Sequence, residues 1–181
     1  MKIPNIKIQH NPYLDDIFKV WVLSNPKYKD WVCPTASKVK HKIVAYQKIW
    51  NEKGEKILSH ICKITELSFK RNHFTVHIVS GNPRSYSDPI VISVSRTNDE
   101  FFSTVIHELI HCLFVDNKNS SFVKNTDKFE DHVALYAIME SVMPGIVEEK
   151  EKRGYQNNDK YNYAKGVVKN KHKEIMESLK S

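Results

Sequence analysis

The sequence predicts an α+β domain with a small sheet, and three observations carry that prediction. The stretches F-T-V-H-I-V (74–79) and P-I-V-I-S-V-S (89–95) are β-branched and close to alternating, as strands are. The segments before and after them repeat their apolar residues at helical spacing. The chain has 181 residues, 40% of them hydrophobic, which suffices for one domain with its own core.

Taken in order, N-P-Y-L-D-D-I-F-K-V-W-V-L-S-N-P (11–26) reads as a short helix between two prolines, with Leu14, Ile17, Phe18, Trp21 and Val22 as its apolar stripe. From Val39 to about Leu67 a second stripe, including Ile43, Tyr46, Ile49, Trp50, Leu58, Ile61 and Ile64, predicts one long helix or two, with Gly54 as a break. Two strands follow at 74–79 and 89–95, joined by the turn-forming S-G-N-P-R-S-Y-S-D. T-N-D-E (97–100) starts the next helix: Thr97 and Glu100 make a capping box, and Asp99 suits the positive helix end. That helix runs to about Val115. A loop at 116–121 leads to a helix starting at Thr126 or Asp127 and ending near Met143, before Pro144-Gly145. Residues 1–145 are the body of the domain. Residues 146–181 are a charged C-terminal helical tail of it, expected as a surface helix or, alternatively, as a cover over a cleft.

The composition narrows the setting. No stretch is apolar for long enough to cross a bilayer. The first ten residues alternate apolar with polar, unlike a secretory signal, so a cytoplasmic protein without membrane partners is expected. Cys33, Cys62 and Cys112 are scattered, odd in number and form no C-x-x-C pair, which predicts reduced, packed thiols. The net charge of +7 permits nucleic-acid binding but carries no geometry for it.

The chemistry is concentrated in T-V-I-H-E-L-I-H-C-L-F (104–114). Two imidazoles and a carboxylate in an apolar run are costly unless something satisfies them. His107 and His111 are four apart and project from one face of a helix, one turn from each other, so both can reach one metal ion. Glu108 lies on the flank of that face, where a carboxylate can touch metal-held water without binding the metal. This is H-E-x-x-H, with zinc as the usual metal and the glutamate as general base. Phe102, Val105, Ile106, Leu109, Ile110 and Leu113 form the core-facing side of the same helix, with the histidines along its edge. The alternative is a pair of core histidines satisfied by backbone or water. The mid-helix position, the preceding strand and the capping box favour the metal.

A catalytic zinc takes a third protein ligand and keeps one position open. Glu130, Asp131 and His132 are all chemically able, and on a helix they point in different directions. The chain resembles the zincin superfamily of metallopeptidases over roughly Phe74 to Pro144. It is most similar to the gluzincins, whose third ligand is a glutamate on the following helix. That resemblance implies Glu130, with eighteen residues between it and His111, as the third ligand of one Zn2+ per chain held with His107 and His111. The metzincin pattern does not fit, because Phe114 and Asn117 stand where it needs a glycine and a histidine. Val133 and Ala134 stand where gluzincins often carry an acidic residue.

The resemblance further implies a zincin-like fold, a peptide or protein substrate, and hydrolysis by metal-activated water with Glu108 as base. It also implies a sheet-edge strand beside the motif helix on which substrate can pair, expected at Ile90 to Ser95. Two other readings remain open: a non-catalytic binding module on the same fold, and a zinc protease working on DNA. Tyr155, Tyr161, Tyr163 and His132 are candidates to steady an oxyanion. His10, His41, His60 and His172 are expected to be solvated, and Cys112 to be packed.

Overall fold

A computed structural model describes residues 2–81, 85–129, 132–147 and 159–180. Among them are a four-stranded sheet and six α-helices, a small α+β fold. The strands are β1 (Asn5–His10), β2 (His73–Val79), β3 (Tyr86–Ser87) and β4 (Ile90–Ser93). The helices are α1 (Pro12–Ser24), α2 (Ala36–Thr65), α3 (Asn98–Asp116), α4 (Ser121–Thr126), α5 (Val133–Val142) and α6 (Asp159–Lys180). No helix among the described residues is long and apolar enough to cross a membrane.

The sheet order is β1-β2-β4-β3, with β1, β2 and β4 parallel and β3 antiparallel to β4. Strand β1 is an element that sequence reading did not assign. Its signal was the alternation of Ile6 and Ile8 with polar neighbours, and both isoleucines are buried. Its outer edge does not stay bare. The Ile8 N–H donates to Gln47 Oε1, and Gln47 Nε2 donates to the Ile6 carbonyl, so a side chain of α2 occupies part of the edge. Ile6, Ile8, Phe74, Val76, Ile78, Ile90 and Ile92 meet the buried faces of α2 and α3 in one core.

Helix α2 is continuous. Gly54 does not break it; a Cβ there would lie 2.4 Å from the Trp50 ring, so the glycine makes room for the indole. Tyr46 of α2 stacks on Phe101 of α3 at 3.9 Å between centroids. Its hydroxyl donates to the carbonyls of Val94 and Arg96, and Lys42 Nζ also donates to Arg96 O. Helix α2 thereby grips the turn between β4 and α3 and sets where α3 begins.

Two further expectations are corrected. The helix expected from 126 to 143 is shorter: α5 covers Val133–Val142, and a separate short helix, α4, precedes it at Ser121–Thr126. The C-terminal helix α6 is amphipathic: it packs on α4 and α5 through Ala164, Val168, Ile175 and Leu179 and exposes its other side. It buries Lys165 as well. Helix α1 has the right span but buries Asp15 and Val22, while Ile17 and Trp21 of the expected stripe are exposed.

Asp15 explains that orientation. Its carboxylate accepts from the Ser80 N–H and hydroxyl, lies 2.8 Å from His10 Nε2 and 3.2 Å from Lys19 Nζ. Burial would raise its pKa, but His10, Ser80 and Lys19 together outweigh that and hold it below the ordinary value. His10 is therefore a buried carboxylate's partner while itself remaining exposed. Gly81 lets the backbones meet, since a Cβ there would come within 2.9 Å of Phe18 O.

Two outcomes are expected. Gly54→Ala should lower stability by about 1–3 kcal/mol in chemical denaturation through overpacking on Trp50, although alanine in an open helix would raise it by about 1 kcal/mol. Asp15→Asn should lower stability by about 1.5–3 kcal/mol near neutral pH. The native pKa of Asp15 is depressed, so its contribution is full above an ordinary carboxylate pKa of about 4 and fades as pH falls through the native value. Variant and wild-type stabilities should converge in acid; a constant gap across pH 2 to 7, a span of roughly five units, would remove this account.

Candidate metal centre

Helix α3 starts as its sequence predicts: Thr97 Oγ1 accepts from the Glu100 N–H, and Glu100 Oε2 accepts from the Thr97 N–H at 2.7 Å. From Phe101 to Leu113 every residue except His111 is buried, and His111 is half-buried. A helix apolar on nearly every side belongs in the middle of a domain. The polar groups of the motif are thus inside the protein, and the neighbouring elements have to meet them.

Three side chains converge. His107 Nε2 and His111 Nε2 lie 3.2 Å apart across one turn of α3. The third is His132. One ring nitrogen from each of His107, His111 and His132 lies within 4.8 Å of the others. The His132 ring stacks on His107 at 5.3 Å and meets His111 edge-on at 5.1 Å.

Glu130, the third ligand that the resemblance implies, lies outside the described residues, as does Asp131. His132 is brought to the other two histidines by a local device. It occupies the N-cap of α5 with φ +70°, in the left-handed region, and its side chain makes no capping bond. That conformation is uncommon for a residue with a Cβ, and such residues gather at functional sites. Continuing the helix back through 132 would have aimed the ring elsewhere.

The nitrogens suit a metal. Tetrahedral ligands held at about 2.0–2.1 Å from zinc stand about 3.3 Å apart, close to the 3.2 Å between His107 and His111. Neutral imidazoles are the donors that zinc accepts.

Glu108 lies buried beside this cluster. Ser87 Oγ donates to Glu108 Oε2 at 2.6 Å, and the carbonyl of the same Ser87 accepts from Cys112 Sγ at 3.1 Å. One residue of β3 therefore clips the edge of the sheet onto the motif helix at two points. Sequence reading missed Ser87, which sits among turn formers without any local signal. The edge strand expected at Ile90 to Ser95 is covered over its first two residues. Strand β4 has β2 on one side and β3 on the other, with Ile90 facing Ser87 and Val91 facing Tyr86. The edge beside the site is β3, so Ile90 and Val91 are not open to a pairing strand.

Two tyrosines close the cluster. Tyr161 of α6 lies 4.5 Å from the His132 ring. Tyr136 of α5 lies one turn beyond His132, with its ring 5.9 Å from His107. Burial raises the Tyr136 pKa well above the ordinary phenol value, with Tyr161 and Glu108 adding to the rise. Its phenol is a fixed donor at working pH. Tyr136 was not among the sequence candidates; Tyr155 lies outside the described residues, and Tyr163 is half exposed. His172, expected in solvent, instead lies 2.9 Å from Ser141 Oγ and 3.0 Å from the Ala137 carbonyl.

No family model matches this chain, and neither a curated protein nor a solved structure is significantly similar to it. The site is read from its own chemistry.

Cys112 offers a check on this packing. Burial pushes the thiols of Cys112 and Cys62 up to about 11, while Cys33 is exposed. A thiol reagent at mildly alkaline pH should label Cys33 alone in the folded protein and all three cysteines in denaturant. Rapid labelling of Cys112 in the native state would contradict its place under Ser87.

Proposed function

We propose that this chain is a zinc-dependent peptidase of the zincin type. The observation that carries the reading is the meeting of His107, His111 and His132 around one point beside the buried Glu108. The three histidines would hold the ion, and three protein ligands are the number that a catalytic zinc takes.

Zinc bound there supplies Lewis acidity toward a peptide carbonyl and lowers the pKa of water. Glu108 takes the water proton and delivers it to the leaving amine. The Ser87 hydroxyl donates to one of its carboxylate oxygens and so orients the carboxylate. The Tyr136 phenol, held protonated by its burial, donates to negative charge developing on the carbonyl oxygen. The outer edge of β3 takes an extended substrate as an added strand, which brings the peptide past Ser87 toward Glu108.

The test is zinc content by elemental mass spectrometry on wild type, His132→Ala and Glu130→Ala purified together, followed by casein hydrolysis by wild type and Glu108→Gln. About one zinc per chain is expected in wild type and in Glu130→Ala, and far less in His132→Ala. Loss from Glu130→Ala alone would give the third position to Glu130. Glu108→Gln should keep its zinc and lose at least about a hundredfold in hydrolysis. Zinc in both with equal hydrolysis would sink the mechanism, and zinc without hydrolysis in wild type would leave a binding module.

A further inference from the structure

Helix α1 packs inward through Asp15 and Val22, with Leu14 and Phe18 half-buried beside them, and leaves much of its apolar surface outside. Asp15 and Val22 are buried, and the opposite face carries Tyr13, 85% exposed, Ile17, 64%, and Val20, 67%, flanked by Leu23 and Trp21. The carboxylate of Asp15 locks this orientation through Ser80, His10 and Lys19. Turning the helix over to bury its apolar side would strip Asp15 of those partners. The outward ridge is therefore a fixed feature of the fold, and exposed apolar surface on this scale marks an interaction site.

The spacing along the ridge is specific. Tyr13, Ile17, Val20 and Ser24 follow one another by four, three and four positions, the seam of a two-helix coil. We propose that this ridge pairs antiparallel with α1 of a second copy of the chain, about a two-fold axis passing between Phe18 and Lys19. That axis sets Tyr13 opposite Ser24 and Ile17 opposite Val20. The largest side chain of the seam meets the smallest, and two β-branched residues of similar size meet each other, so the ridge is complementary to itself. A two-fold dimer uses one patch twice and is the commonest closed assembly.

Several observations select this occupant. Asp16, with its side chain 80% exposed, shares the flank of Leu23 and would be carried into the headgroup boundary if the ridge lay on a membrane. The seam itself carries no lysine or arginine to meet an anionic surface. The exposed apolar side chains of the ridge and its flanks amount to roughly several hundred Å2, on the order of the ~800 Å2 per partner of a standard interface. The +7 charge on each copy opposes association, so added salt should strengthen the dimer. Contacts to nucleic acid or anionic lipid weaken with salt.

Sedimentation velocity on the full chain, from low micromolar to about 0.2 mM, should show a reversible dimer that tightens as sodium chloride is raised. Ile17→Asp should weaken it at least about tenfold with near-ultraviolet circular dichroism unchanged. Ser24→Tyr sets tyrosine against tyrosine and should weaken it as well. The swap Tyr13→Ser with Ser24→Tyr restores one large and one small residue per layer and should recover most of the affinity. A chain that stays monomeric throughout, or a dimer indifferent to Ile17→Asp, overturns the proposal. Salt-sensitive binding of the monomer to phosphatidylcholine–phosphatidylserine vesicles, lost in Ile17→Asp, would hand the ridge to a membrane and overturn it too.

Discussion

The arrangement turns on one demand: a helix buried along most of its length carries a buried imidazole, a buried carboxylate and a second, half-buried imidazole, and its neighbours must meet them. Each element around α3 answers part of it. Ser87 of β3 supplies the hydroxyl for Glu108, and its carbonyl takes the Cys112 thiol. The N-cap of α5 supplies His132 beside His107 and His111. Tyr136 and Tyr161 wall the cluster from α5 and α6. The nitrogens of the three histidines come close enough to one another to hold a single cation.

Holding α3 still is the task of the larger elements. Tyr46 stacks on Phe101 and bonds the carbonyls just before α3, so α2 fixes both the start of the helix and its tilt. The sheet fixes its underside through Ile90 and Ile92, and α6 backs α5 from behind. The short strand β3 does more than its two residues suggest. It shields β4, takes the role of sheet edge, and ties that edge to the motif glutamate.

Asp15 is a second buried charge, and it works in the opposite sense. In α3, buried polar groups in an otherwise apolar helix are met by neighbouring elements, Glu108 by Ser87 and His107 by His132. In α1, a carboxylate is satisfied so fully by Ser80, His10 and Lys19 that it turns the helix's apolar side outward. A few hydrogen bonds to a buried charge weigh as much as the burial of one or two apolar side chains. The stripe of α1 therefore did not decide which side faces the core.

What the sequence determined by itself is what short-range physics controls. The helical periods, the two alternating strands, the Thr97–Glu100 box and the pairing of His107 with His111 one turn apart all follow from residues within a few positions of each other. The tertiary structure decided the rest. Gly54 reads as a breaker until Trp50 is seen filling its space. Ser87 is a serine in a turn until β3 lies against α3. His132 joins the other histidines only because one residue takes a left-handed turn at the head of α5. That choice depends on where α5 must pack, and no local pattern in the chain encodes it.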